Sequence, residues 1–279
     1  MDWLFFCLMN DNRPIGIFDS GVGGLTVANA IRQMMPNENM VYFGDTAHLP
    51  YGDKSPETIR YYAAGITKFL LSLECKVIVI ACNTASANAF QTVVELAGGK
   101  VPVLNVVDPV VDFVIHSGNY KHIGVIGTKS TINSDTYALK IHREKPGIMV
   151  SSLATPLFVP MIEEGFIFDD ISNAIIRTYL SRHELSDIDG LILGCTHYPI
   201  IKNQINKFFN FNVDIIDSAK VVAMALQKML IQENLLNRAG VPGHKFFVSD
   251  ITPSFRVISK MFFEQDVCLE LKNIWEQNG

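Results

Sequence analysis

Two cysteines stand in matching surroundings in the two halves of this 279-residue chain. Cys82 closes the apolar run Val77-Ile78-Val79-Ile80-Ala81 and is followed by Asn83-Thr84-Ala85. Cys195 closes Gly190-Leu191-Ile192-Leu193-Gly194 and is followed by Thr196-His197-Tyr198-Pro199. A thiolate can take a proton from carbon and a thiol can return one. Two such groups on opposite faces of one carbon can invert a stereocentre, which a single base on one face does poorly. A free thiol, with a pKa of about 8.5, holds little thiolate at neutral pH, so the site is expected to pull that value down. Asn83, Thr84, Thr196 and His197 are placed to donate hydrogen bonds for that purpose. The same donors, with backbone N–H groups at a helix amino end, can hold a carboxylate.

Each thiol follows a short apolar run and precedes a polar residue of the helix-capping type, which reads as strand, turn, helix. Both sulfurs are therefore expected at the carboxyl ends of buried strands, where open α/β sheets bind ligands. Strand-like runs recur at Ile15–Asp19, Met40–Gly44, Val77–Ala81, Val103–Val106, His122–Gly127, Ile148–Leu153, Gly190–Gly194, Val213–Asp217 and Lys245–Ser249. Helical patterns at Thr58–Leu73, Ser86–Leu96 and Ala219–Leu230 lie between them. Such alternation implies parallel sheet covered by helices. An internal echo supports a duplicated plan. Ile15-Gly-Ile-Phe-Asp-Ser resembles Ile123-Gly-Val-Ile-Gly-Thr 108 residues later, and Cys195 follows Cys82 by 113. The expected fold is two similar doubly wound α/β domains related by pseudo-twofold symmetry, with the site in the cleft between them. Residues 14–105 plus 218–279 would form the first, carrying Cys82, and residues 106–217 the second, carrying Cys195.

Composition narrows the function classes. Hydrophobic residues make up 48% of the chain, enough for packed cores, and the net charge of −5 lacks any Lys/Arg cluster that would point to nucleic acid. No stretch is long enough to span a bilayer. The five cysteines are odd in number and widely spaced, which fits a reducing cytoplasm better than a disulfide framework. They lack zinc-ligand spacing, so no metal site is expected. Cys7, Cys75 and Cys268 carry no motif and read as structural. The opening Met1–Met9 lacks a basic leading region and a cleavage site, and reads as an apolar tail. Because the first strand pattern starts only at Pro14, Met9 is the expected start of translation.

Five segments together carry a resemblance to a known family: Gly16–Thr26 (GIFDSGVGGLT), Tyr42–Gly52 (YFGDTAHLPYG), Ala81–Ala87 (ACNTASA), Pro160–Gly165 (PMIEEG) and Gly194–Pro199 (GCTHYP). In that order they resemble the cofactor-independent aspartate/glutamate racemases, and Cys-Thr-His-Tyr-Pro is similar to the glutamate branch. The likeness runs from about Ile15 to at least Pro253. It implies interconversion of L- and D-glutamate without pyridoxal phosphate or metal, in the cytoplasm, feeding D-glutamate to peptidoglycan synthesis. It implies that Cys82 takes the proton of D-glutamate and Cys195 that of L-glutamate. Asp19 would assist Cys82, His197 would assist Cys195, and Glu163 would stand behind His197. Ser20, Tyr51, Gly52, Asn83, Thr84 and Thr196 would hold the substrate with Asp19 and His197, joined by Thr128 or Thr131. No Lys or Arg is among them. It also implies a homodimer and, in some members, activation by a cell-wall precursor.

Two positions depart from the family's pattern. Ser130 stands in Gly127-Thr-Lys-Ser-Thr where a glycine is usual, and His48 stands where an arginine is common. Gly21-Val-Gly23-Gly24 after a strand, with Asp45 ending the next, imitates a dinucleotide fingerprint. That reading has Thr26 where the third glycine belongs and leaves both cysteines unused.

Overall fold

The computed structural model describes residues 11–275 apart from 118, 252 and 265. The apolar tail, Cys7 and the expected start at Met9 lie outside the described residues. Among the described residues, ten strands fall into two wholly parallel sheets. They are β1 (Ile15–Asp19), β2 (Met40–Gly44), β3 (Val77–Ile80), β4 (Val103–Asn105), β5 (His122–Gly127), β6 (Met149–Ala154), β7 (Gly190–Gly194), β8 (Asp214–Ile216), β9 (His244–Val248) and β10 (Leu269–Leu271). The α-helices that accompany them are α1 (Leu25–Met34), α2 (Pro56–Ser72), α3 (Asn83–Ala97), α4 (Val107–Ser117), α5 (Lys129–Asn133), α6 (Thr136–Glu144), α7 (Phe158–Glu163), α8 (Asp170–Leu180), α9 (Lys202–Phe208), α10 (Ser218–Gln232) and α11 (Pro253–Phe263).

The sheets repeat one topology. The first has the order β10-β9-β2-β1-β3-β4 and the second β6-β5-β7-β8. Within the first, β2-β1-β3-β4 has the same order as the whole of the second. The sequence echo falls on β1 and β5, and each of these lies beside the strand that leads to a thiol. In both sheets the chain turns one way from the echo strand and then the other, which opens a crevice at their carboxyl ends. Both cysteines stand at such a point.

Continuous apolar sequence in β1, β2, β3 and β7 follows from burial on both faces; every residue of these strands is buried. One apolar cluster joins residues of both sheets, including Val22, Leu25, Leu193, Tyr198 and Leu226. Helix α10 lies against α1 and α4. At the opposite end of the first sheet, buried Lys76 pairs with buried Glu38 at 2.6 Å. Lys76 Nζ also donates to the carbonyls of Asp11 and Leu235, so the pair ties the returning chain to the strand bases.

The expected strands are all present within one or two residues. Strand β10 escaped the sequence reading because three residues, two of them exposed, give no usable pattern. Helix α3 begins at Asn83, three residues before its apolar periodicity does.

Candidate active site

The two thiols open into one cavity of about 220 Å3 between the sheets. The first half lines it with Ser20, residues 49–53, and Cys82, Asn83 and Thr84. The second half contributes Thr128, Lys129, Thr155, Pro156, Val159, Pro160, Glu163, Cys195, Thr196 and His197. Its small volume suits a compact metabolite rather than a dinucleotide.

Cys82 is the N-cap of α3, and the Ala85 N–H donates to its sulfur at 3.4 Å. Its thiol points to Ser20 Oγ at 3.7 Å. The expectation of a lowered thiol pKa fails here. Burial, reinforced by the negative charge of neighbouring Asp19, pushes Cys82 up to about 12, and the helix donor does not offset them. Asp19 is wholly buried; Oδ2 accepts from the N–H groups of Gly24 at 2.9 Å and Gly21 at 3.2 Å, while Oδ1 has no hydrogen-bond partner among the described residues. Burial raises its carboxyl pKa as well.

Cys195 follows β7, but no α-helix starts beside it. Pro199 leads into a 3-10 turn over Tyr198–Ile201, and α9 begins only after that, so the expected strand-to-helix turn is corrected here. An imidazole takes the helix's place. His197 Nδ1 lies 3.8 Å from Cys195 Sγ, and its Nε2 meets Glu163 Oε1 at 2.9 Å. Burial disfavours the imidazolium, yet the bonds to Cys195 and Glu163 outweigh it and push His197 up to about 10. Phe262 of α11 closes the back of the ring, edge to face.

Of the predicted residues, Ser20, Tyr51, Gly52, Cys82, Asn83, Thr84, Thr128, Glu163, Cys195, Thr196 and His197 share the cavity wall. Asp19 and Thr131 do not. Asp19 sits behind Ser20 and Cys82. Thr131 is buried in a triangle of hydroxyls with Thr84 and Thr128, at 3.0 Å from Thr128 and 3.1 Å from Thr84, with Thr84 and Thr128 2.9 Å apart. That triangle couples the halves: Thr128 faces substrate space and Thr131 props it. Asn83 is held across the same seam by the Tyr137 hydroxyl, which donates to its Oδ1 at 2.7 Å.

The glycine fingerprint serves packing. A Cβ on Gly23 would stand 2.5 Å from His197 Nδ1, and one on Gly24 would stand 2.5 Å from Asp19 Cβ. These glycines let the loop after β1 pass between the two catalytic neighbourhoods. Thr26, in the place of a third glycine, donates to the Thr196 carbonyl at 3.2 Å. Asp45, the imitation ribose acid, is buried and already satisfied. It accepts from Tyr51 Oη at 2.6 Å, Ser249 Oγ at 2.8 Å, His48 Nδ1 at 2.9 Å and Trp275 Nε1 at 3.2 Å. It thereby fixes Tyr51 and the loop over the cavity. His48, in the place of the common arginine, pairs with Asp45 and stacks on Tyr62 with ring centroids 4.1 Å apart.

Sequence reasoning missed Leu49, Pro50, Asp53, Lys129, Thr155, Pro156, Val159 and Pro160 on the wall. Lys129 puts a cation on the wall beside the expected neutral donors; its place next to Thr128 was the available signal. Among the described residues, no three His, Cys, Asp or Glu side chains converge as a metal site, and no helix is long and apolar enough to cross a membrane.

A parallel α/β cleft with a thiol on each side defines the class, and comparison with known proteins agrees. Residues 25–226 match the Asp/Glu/Hydantoin racemase family, and the chain belongs to it, within its glutamate racemase branch. The glutamate racemase of Chlorobium phaeobacteroides is 46% identical over 255 residues, covering 91% of this chain and 93% of that protein. The crystal structure of glutamate racemase from Francisella tularensis in complex with D-glutamate superimposes with a TM-score of 0.90 at 44% identity, covering 95% of this chain and 99% of that one. The Escherichia coli glutamate racemase, in complex with L-glutamate and the activator UDP-MurNAc-ala, gives 0.74 at 25% identity, covering 93% of this chain and 98% of that one.

Proposed function

We propose that this protein interconverts L- and D-glutamate by two-base proton transfer between Cys195 and Cys82. The observation that carries the reading is the pair of thiols on one small cavity, each reaching it from a different sheet. In the L-to-D direction, the Cys195 thiolate takes the α-proton and becomes a thiol. The Cys82 thiol protonates the opposite face and becomes a thiolate. The reverse direction exchanges the roles, so no proton is gained or lost overall. His197, held by Glu163, supports negative charge on Cys195. Asp19 acts through Cys82: in the D-to-L direction its carboxyl, shifted upward by burial, can take the thiol proton so that Cys82 becomes the base, and it returns that proton afterwards.

Ser20, Tyr51, Gly52, Asn83, Thr84, Thr128 and Thr196 would orient the two carboxylates of glutamate with neutral donors and its ammonium with hydroxyl and carbonyl oxygens as acceptors, which fix direction more than they add charge. The reading needs neither pyridoxal phosphate nor metal. We take residues 14–105 plus 218–279 and residues 106–217 as the two lobes that close on substrate. D-glutamate would supply peptidoglycan synthesis in the cytoplasm. The reading further includes a homodimer and, by analogy with the Escherichia coli complex, response to a cell-wall precursor.

Proton NMR in D2O tests it. Purified protein with L-glutamate and no added cofactor should erase the α-proton signal while D-glutamate accumulates, and L-aspartate should stay unchanged. Exchange of aspartate alone would move the protein to the aspartate racemases. Glutamate binding without any exchange, with the cell-wall precursor also present, would leave a binding protein.

A further inference from the structure

The thiol cavity has a neighbour. A second, polar groove of about 430 Å3 runs along the seam between the halves, bordered by Lys54, Asn88, Ser130 and Asn133. The two spaces share three wall residues, Gly52, Asp53 and Lys129. Across this partition Lys129 Nζ meets Asp53 Oδ1 at 3.2 Å, one charge from each half. Beneath the pair Gly52 touches Thr128 so closely that a Cβ on the glycine would lie 2.7 Å from the threonine Cβ.

Charge decides what this partition can do. The chain carries a net charge of −5, so an anionic amino acid approaches against the mean field. Lys129 is the one Lys or Arg among the residues lining the thiol cavity, and Asp53 masks it. Both side chains are more than half exposed, at 55% and 60%. An ion pair so exposed contributes no more than about 1 kcal/mol, which makes it a poor clamp but an easily exchanged contact.

We infer that the Asp53–Lys129 pair is the door between the outer groove and the thiol chamber, and that a dicarboxylic amino acid opens it by replacing the Asp53 carboxylate on Lys129. This inference rests on the glutamate reading above. One carboxylate substitutes for another, so Lys129 is never left unpaired during passage. Lys54 and the amides of Asn88 and Asn133 give the outer groove the polarity to receive the ligand. The bound amino acid keeps the substituting carboxylate on Lys129, which also lines the thiol cavity, while its other groups rest on the neutral donors.

The test compares Lys129→Met, Lys129→Arg and Asp53→Asn in the full-length protein, by calorimetric titration with D-glutamate and by racemisation kinetics over a range of NaCl concentrations. Lys129→Met should raise Kd and KM about tenfold at low salt and flatten their salt dependence. Lys129→Arg should restore both. Asp53→Asn should move KM the other way, about twofold down, with a steeper salt dependence. Opposite signs are the signature of a door, because loss of a merely structural bridge would push both variants in one direction. Equal shifts of the same sign, or no shift in either, would overturn the inference. Wild-type protein that binds glutamate without turning it over would sink the racemase reading alone, and the titrations would still judge the door.

Discussion

The two thiols occupy equivalent places in a repeated topology, yet their surroundings differ in kind. Cys82 caps a 15-residue helix and has a buried carboxyl at its back, and its pKa is pushed up to about 12. Cys195 has no helix beside it and instead faces an imidazole pushed up to about 10. At neutral pH the first side therefore holds its proton on sulfur, and the second presents an imidazolium to its sulfur, the arrangement that activates a thiol as a base. Under the proposed two-base reading, a start from L-glutamate uses Cys82 as the acid, which its raised thiol pKa suits, and places the imidazolium beside the sulfur that receives the proton. Symmetry of the fold supplies the opposed positions, and the neighbours make the two positions chemically unlike.

Removing either sulfur should have the largest effect. Cys82→Ser and Cys195→Ser should each lower racemisation by about 10^2–10^4-fold, since inversion requires a donor and an acceptor on opposite faces. Circular dichroism of glutamate solutions gives the rate directly. Full turnover by either variant would end the two-thiol account.

Substitutions behind the sulfurs separate the two sides. Asp19→Asn and His197→Asn should each lower kcat by about a hundredfold with little change in KM. Enantiomers have equal free energy, so kcat/KM must remain equal from the two directions in every variant. The asymmetry must therefore be sought in isotope effects. In Asp19→Asn, transfer at Cys82 becomes the slow step, so α-deuteration should matter strongly starting from D-glutamate and weakly from L-glutamate. In His197→Asn the pattern should reverse. The same isotope pattern in both variants would mean that the two neighbours are not side-specific. A loss confined to KM would make Asp19 a binding group.

Much of this comparison was legible in the sequence, for a physical reason. Strand-to-turn junctions are local, so Val77–Cys82 and Gly190–Cys195 announce strand ends without reference to the rest of the chain. The echo of β1 in β5 was visible because both central strands are buried on each face and therefore keep uniform apolar patterns. What stayed hidden depends on contacts distant in sequence. The triangle of Thr84, Thr128 and Thr131 joins residues more than 40 positions apart, and only coordinates show which hydroxyl faces the cavity. The thiol pKa expectation failed at Cys82 because a helix amino end is legible locally, whereas the burial and the Asp19 charge that outweigh it are not. The partners of His48 stayed hidden for the same reason: Asp45, Tyr62 and Trp275 come from three separate segments.

Stability against pH gives the smallest and most specific test. His197 ionises near 6.5 in an unfolded chain and at about 10 in the native protein. The native state thus binds the proton more tightly, and its contribution is complete below about 6.5 and lost as pH rises toward 10. Cys82 adds a second loss at higher pH. Its native value of about 12 exceeds the ordinary 9.0, so above pH 9 the unfolded chain releases a proton that the native state retains, which favours unfolding. The two windows overlap between about pH 9 and 10. Glu163 is partly exposed, which screens the pair, and the His197 window should amount to on the order of 2 kcal/mol. Urea unfolding across these pH values should show stability declining from near neutrality in wild type. In His197→Asn it should stay level until about pH 9 and then fall. A decline between pH 7 and 9 that persists in the variant would place the responsible proton elsewhere and remove the imidazolium from the resting Cys195 side.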